Sequence, residues 1–230
     1  MGSYAKVHVM DSTNYNIEQF HRAMVVESKY PDMPWKADAR LSNLDNAIAH
    51  IDTEGLVLEF GVSRGTTINH IAKKLPNQTV YGFDSFEGLP EEWQLNKKKT
   101  IQAGHFNRPI DGKMPKLPNV QKNVKLIQGW FNESLPQFIQ ENNFSNISFL
   151  HVDSDLYSSA KTIFDCLNEK INKGTVIVFD EFYPWTNKKW YTTWKEHEYK
   201  ALGEWIKKYN RSFNILSRSK HCQTSIIITN

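Results

Sequence analysis

The sequence predicts an α/β fold: a doubly wound, mostly parallel sheet finished by an antiparallel C-terminal hairpin strand. Three observations carry this expectation. Residues 56–60 form an apolar run interrupted only by Glu59, as in a strand covered on both faces. Apolar runs then alternate with helical spacing along the chain. Two β-rich runs near the end, 213–216 and 224–229, are separated by a short polar turn containing Lys220 and His221, so one must run antiparallel to its neighbour.

Residues 1–38 show little periodicity and are expected to form an extension that wraps the site or the outside of the domain. A helix is expected over 39–51, leading into the strand at 56–60. Gly61 and Gly65 then allow a sharp turn and close approach to a ligand. Ile68, Ile71, Ala72 and Leu75 follow at the spacing of a helix packed on a sheet. A second strand over 79–83 delivers Asp84, nineteen residues after Gly65, where an acid can accept from both ribose hydroxyls of a nucleoside. Further strands are expected at 124–128, 147–152 and 175–179. A helix carrying Ala160, Ile163, Phe164, Leu167 and Ile171 lies between the last two. Segments 86–121 and 182–197 are too long for ordinary connections and leave from carboxyl ends of strands. They are read as lid and substrate wall, the second being rich in Tyr183, Trp185, Trp190, Tyr191 and Trp194.

At 230 residues the chain suits one domain, 1–230, with a good-sized core. A net charge of +3 on scattered lysines argues against nucleic acid as a partner. Cys166 and Cys222 have no metal-type spacing. The chain has no apolar run of ~18 residues and no apolar signal segment, so no membrane partner and a cytoplasmic location are expected. Oligomeric state stays open, a homo-oligomer included.

The turn reads E-x-G-x-S-x-G, from Glu59 through Gly61 and Ser63 to Gly65. It lacks the G-x-G-x-x-G of nicotinamide sites and is followed by no G-K-[ST] of a triphosphate cradle. An anion at Glu59 repels a pyrophosphate but suits a cofactor bearing an ammonium and a sulfonium. A second signal is HVDSDLYSS, residues 151–159, where Asp153 and Asp155 flank a strand end. The next strand ends in Asp180 and Glu181. Adjacent strands would gather these four acids in one crevice, where like charges repel. Either a hard cation such as Mg²⁺ binds them, or one carboxylate keeps its proton and becomes a base of raised pKa. An alternative is that some of these acids cap the helix beginning near Tyr157.

The turn resembles motif I of the class I S-adenosylmethionine methyltransferases, with serine for the usual middle glycine. Taken in order, LEFGVSRG, VYGFDSFEGLPEEW, IQGWFNESLP, HVDSDLYSSAK and GTVIVFDEF resemble the macrocin-type O-methyltransferase family over about residues 55–205. The resemblance implies a methyltransferase acting on hydroxyls of small molecules such as sugars and glycosylated metabolites, in natural-product or glycan biosynthesis. It implies that Glu59, Gly61 and Asp84 bind S-adenosyl-L-methionine, with Ser85 beside the ribose, Gly129 and Trp130 near the adenine, and Asp153 beside the cofactor. Asp153, Asp180 and position 181 match divalent-metal ligands, although Glu181 replaces the family's usual aspartate. Asp155 matches the general base. Trp185 and His197 are expected to touch the acceptor. Two other functions stay open: a nicotinamide oxidoreductase, kept alive by Tyr157 and Lys161 at Tyr-x-x-x-Lys spacing, and a non-catalytic binding protein of the same fold.

Overall fold

The computed structural model describes residues 16–107 and 117–230. The beginning of the extension (1–15) and the middle of the first long connection (108–116, with Pro109, Gly112 and Pro115) lie outside the described residues. In chain order the elements are α1 (Ile17–His21), α2 (Trp35–Ile48), β1 (Leu56–Phe60), α3 (Thr66–Lys74), β2 (Val80–Asp84), β3 (Trp93–Asn96), β4 (Lys99–Ile101) and β5 (Val124–Gln128). There follow α4 (Phe131–Glu141), β6 (Ile147–Val152), α5 (Tyr157–Leu167), β7 (Val176–Phe179), α6 (Glu198–Tyr209), β8 (Phe213–Arg218) and β9 (Thr224–Ile228).

Seven strands form one sheet in the order β5-β2-β1-β6-β7-β9-β8. All neighbours from β5 to β7 are parallel, and β9 runs antiparallel to both β7 and β8. The expected doubly wound sheet and antiparallel hairpin strand are both present. Composition follows position. Central β6 is buried at every residue, whereas edge strand β8 alternates buried and half-buried residues, one face sitting in the first core and the other only partly covered, where Leu216 meets the second.

One core gathers Leu58, Phe60, Leu150 and Phe179 from the sheet with Leu135 of α4, Phe164 of α5 and Trp205 of α6. On the other face Val57, Phe149 and Val176 pack with Leu41 and Leu44 of α2 and Ile68 and Ile71 of α3. Phe20 of α1 is fully buried in the first core, 4.8 Å from the ring of Phe182. The extension is also tied to the hairpin, since Val26 N–H donates to the Arg218 carbonyl at 2.9 Å. Within the first long connection, β3 and β4 pair as a separate antiparallel hairpin turning through Lys97 and Lys98.

Strand order reverses between β1 and β6, the position at which open α/β sheets hold ligands. Here the two strand ends nearly touch. A Cβ on Gly61 (φ +95°) would fall 1.8 Å from the Asp153 carbonyl oxygen. No side chain fits between the glycine turn and the first acid of the cluster.

Candidate active site

The crevice widens into a cavity of about 1040 Å³. Its walls include Gly61, Asp84, Ser85 and Trp130 on one side, and Asp153, Asp155 and Glu181 on the other. At the upper end of ordinary ligand pockets, of roughly 300–1,000 Å³, it has room for two molecules side by side.

Asp84 latches the turn. Its Oδ2 accepts from the N–H groups of Val62 (2.8 Å) and Ser63 (2.7 Å), and its Oδ1 accepts from Phe86 N–H at 2.7 Å. A carboxylate offers about four lone-pair sites, so one remains, on Oδ1. With the other sites taken by the backbone, a nucleoside would find one free acceptor position on Asp84. Ser85 is buried on the cavity wall, and its Oγ accepts from Glu87 N–H at 3.1 Å. Trp130 lines the cavity at the start of α4, while Gly129 (φ +138°) sits behind it, its N–H donating to the Asp84 carbonyl at 3.0 Å.

Glu59 lies behind the wall rather than on it. It is fully buried, accepting from Thr67 Oγ1 at 3.0 Å, with its other oxygen 2.8 Å from His151 Nδ1. Register explains this: Glu59 and His151 are paired positions on β1 and β6. His151 Nε2 faces Asp180 Oδ1 at 3.7 Å, so the imidazole stands between two buried acids. Burial works against its charge, but Asp180 and Glu59 outweigh it and raise its pKa to about 10.

Asp153, Asp155, Asp180 and Glu181 do converge. Carboxylate oxygens of Asp153, Asp155 and Glu181 lie within 4.8 Å of one another, and so do donor atoms of His151, Asp153 and Asp180. Asp180 is fully buried behind the wall; the other three acids line the cavity. None of them caps α5, whose N-cap is Leu156 without a side-chain bond. Asp155 instead occupies left-handed backbone (φ +61°), a conformation that costs about 1–2 kcal/mol for a residue with a Cβ and that recurs at functional sites. Burial pushes the Asp155 carboxyl well up, and Asp153 and Asp180 add to the shift. Burial and Asp180 raise Asp153 to about 7. Asp180 is held low despite its burial, by Arg40 and His151.

Three further residues complete this centre. Arg40 of α2 pairs with Asp180 Oδ2 and lies 3.5 Å from Asp153 Oδ2 and 3.7 Å from Glu181 Oε1. His151 is the second. The third is Glu198, fully buried at the start of α6, which accepts from the N–H groups of Ser154 (3.4 Å) and Glu181 (3.2 Å) and so ties the two acidic loops together. Only the electrostatic need for a counter-charge among four acids points toward Arg40; His151, expected to point elsewhere or pack, instead shares the strand face of Asp153 two residues on, and nothing local marks Glu198.

The aromatic wall is corrected. Trp185 and His197 do not line the cavity among the described residues. Trp185 packs on Tyr183 and under the guanidinium of Arg218, 4.5 Å from its ring centre. His197 stacks on buried Tyr191, and burial lowers its pKa. These rings anchor the 182–197 segment to the body because their apolar area is better buried there than spread over a wet crevice. The β3–β4 hairpin does reach the cavity, through Trp93. Tyr157 and Lys161 face α6 and a neighbouring acid, binding Glu204 (2.6 Å) and Asp165, and neither lines the cavity. That removes the pair on which a reductase would depend.

A doubly wound sheet with a glycine turn and an acidic centre at its switch point defines a ligand-binding α/β protein of the Rossmann-like class. The family model described as Macrocin-O-methyltransferase (TylF) matches residues 3–202, and the chain belongs to that family. Its fold is similar to that of CalS11, the calicheamicin methyltransferase, with TM-score 0.62 and 22% identity, covering 82% of this chain and 78% of that one. It is also similar to the O-methyltransferase NovP, with TM-score 0.58 and 17% identity, covering 84% and 80%. In sequence it is 22% identical over 173 residues to demethyldecarbamoylnovobiocin O-methyltransferase of Streptomyces niveus. That match covers 64% of this chain and spans 64% of the relative's length.

Proposed function

We propose that this chain is an S-adenosylmethionine-dependent O-methyltransferase acting on a hydroxyl of a small molecule such as a sugar or glycosylated metabolite. The observation that carries the reading is one cavity joining Gly61 and Asp84 to Asp153, Asp155 and Glu181. Family membership and the similarity to natural-product methyltransferases support it. The residues fit the cofactor: the Gly61 turn leaves no space for a Cβ, Asp84 Oδ1 keeps one acceptor site, and Ser85 and Trp130 border the same wall. S-adenosylmethionine, when bound, supplies an electrophilic methyl group. The chain must hold the acceptor oxygen in line with that methyl and take up its proton. Asp155 is the group for the proton: it borders the cavity, and its raised pKa makes it a stronger base than an ordinary carboxylate. Glu59 acts at one remove, by fixing His151 behind the wall.

The donor set also fits a hard divalent cation, since carboxylate oxygens gather there and Asp180 Oδ1 and Glu181 Oε2 are buried without hydrogen-bond partners. The resemblance assigns it to Asp153, Asp180 and Glu181, and the donor atoms that gather most closely are those of Asp153, Asp155 and Glu181 or of His151, Asp153 and Asp180. Such a cation lowers the pKa of a hydroxyl it touches. The reading carries a cytoplasmic location and neither a membrane nor a nucleic-acid partner; no helix among the described residues is long and apolar enough to cross a membrane.

Calorimetric titration with S-adenosylhomocysteine and with NADH tests the cofactor class. Binding of the thioether and not of the dinucleotide is expected, and the reverse would end the proposal. Asp155→Asn should retain the thioether while turnover falls roughly 10²–10⁴-fold; unchanged turnover would remove Asp155 as the base.

A further inference from the structure

The three acids expected to hold a divalent cation are the three that touch Arg40. The arginine side chain is 33% exposed, and it borders the cavity. Asp180 is fully buried and Glu181 nearly so; both are fixed, by Gln223 Nε2 on Asp180 Oδ2 (3.2 Å) and by Glu198 on the Glu181 backbone (3.2 Å). Asp180 is held at its carboxylate and Glu181 at its backbone, whereas the guanidinium has an exit. Nor does Arg40 satisfy the centre, because Asp180 Oδ1 and Glu181 Oε2 remain buried without hydrogen-bond partners.

The geometry points to Arg40 and a divalent cation as competing occupants of one acidic centre. The guanidinium is a built-in counter-cation that leaves Asp153 and Glu181 when the divalent ion enters. A single and a double positive charge within a few ångströms repel strongly even at an effective dielectric near 20. The two cations at these distances therefore oppose one another, and the affinity for the ion depends on how firmly α2 presents its arginine. Without Arg40, Asp153 and Glu181 would face the cavity with Asp180 behind them, and Asp180 would keep His151 as its cationic neighbour at 3.7 Å. This deepens the proposed function and rests on its metal part.

Mn²⁺ binding to the full chain, read from the electron paramagnetic resonance of the free ion, tests it without cofactor or acceptor. Arg40→Met should bind Mn²⁺ about tenfold or more tightly than the unaltered chain, and Arg40→Lys, which keeps the charge, should stay close to the unaltered chain. Equal or weaker binding by Arg40→Met overturns the inference. So does Arg40→Lys binding as tightly as Arg40→Met, or no Mn²⁺ binding by any of the three. If Arg40→Met fails to fold, the unaltered chain still answers: the Arg40 Nε–H resonance should move to that of a solvated arginine as Mg²⁺ saturates. A resonance that stays in place while Mg²⁺ binds overturns the inference. S-adenosylhomocysteine binding on the same samples keeps the two proposals apart, since its loss would sink the methyl-transfer reading and leave the competition standing.

Discussion

Replacing Gly61 by alanine attacks the junction on which the site is built. Two effects add. The backbone at φ +95° is unfavourable for any residue with a Cβ, costing about 1–3 kcal/mol. The new methyl would also sit 1.8 Å from the Asp153 carbonyl oxygen and 2.8 Å from its carbon, both backbone atoms that cannot rotate away. Overpacking of this kind costs about 1–3 kcal/mol more. Gly104 separates the two effects, because it has a similar φ of +75° but nothing within 4 Å of its Cβ position. Gly104→Ala should therefore lose only the backbone part, while Gly61→Ala loses roughly 2–6 kcal/mol in total. Thermal melts read the difference, at about 2–4 °C per kcal/mol for a chain of this size. Gly61→Ala should also weaken S-adenosylhomocysteine binding, because relief of the clash pushes β1 away from β6. Equal melting temperatures for the two variants, with cofactor binding intact in both, would refute this account of the junction.

Three further outcomes follow from the acidic centre and its surroundings. Glu198→Ala leaves the N–H groups of Ser154 and Glu181 without their acceptor, and unfolding in urea should show a loss of about 1–3 kcal/mol; no loss would mean that water replaces the carboxylate. His151 has a folded pKa of about 10 against 6.5 in the unfolded chain, so its contribution is complete below 6.5 and disappears as pH rises through about 10. Melting temperature should accordingly fall between pH 7 and 10, and His151→Gln should flatten that slope; identical slopes would count against an imidazolium between Glu59 and Asp180. Trp185→Ala should lower stability by about 1–3 kcal/mol through lost packing on Tyr183 and Arg218, yet leave cofactor binding alone, and weakened cofactor binding would return Trp185 to the cavity.

What could be seen in advance follows the range of the physics. The strands at 124–128 and 147–152 were delimited to the residue, because apolar runs bounded by polar turns are local signals. The convergence of the acids at 153, 155, 180 and 181 is legible in the sequence, since consecutive parallel strands are usually neighbours in the sheet. Helix α4 was missed because Pro136 lies inside it and obscures its periodicity. The β3–β4 hairpin was hidden inside a segment rich in glycine and proline. Partners set by register or by helix docking had no local mark: Glu59 meets His151 only because β1 and β6 align in one way, and Arg40 reaches Asp180 only because α2 packs across β7. The aromatic segment misled because tryptophan and tyrosine serve equally as binding surface and as anchors.

Asp180 receives a guanidinium from residue 40 and an amide from residue 223, contributed by a helix before the first strand and by the turn between the last two. Neither partner is near in sequence, so this carboxylate is finished only when widely separated parts of the polypeptide have closed on one another. Closures of this kind carry a large entropic cost and form slowly. The centre is thus incomplete wherever helix α2 or the turn between β8 and β9 is not docked, however well the glycine turn is formed.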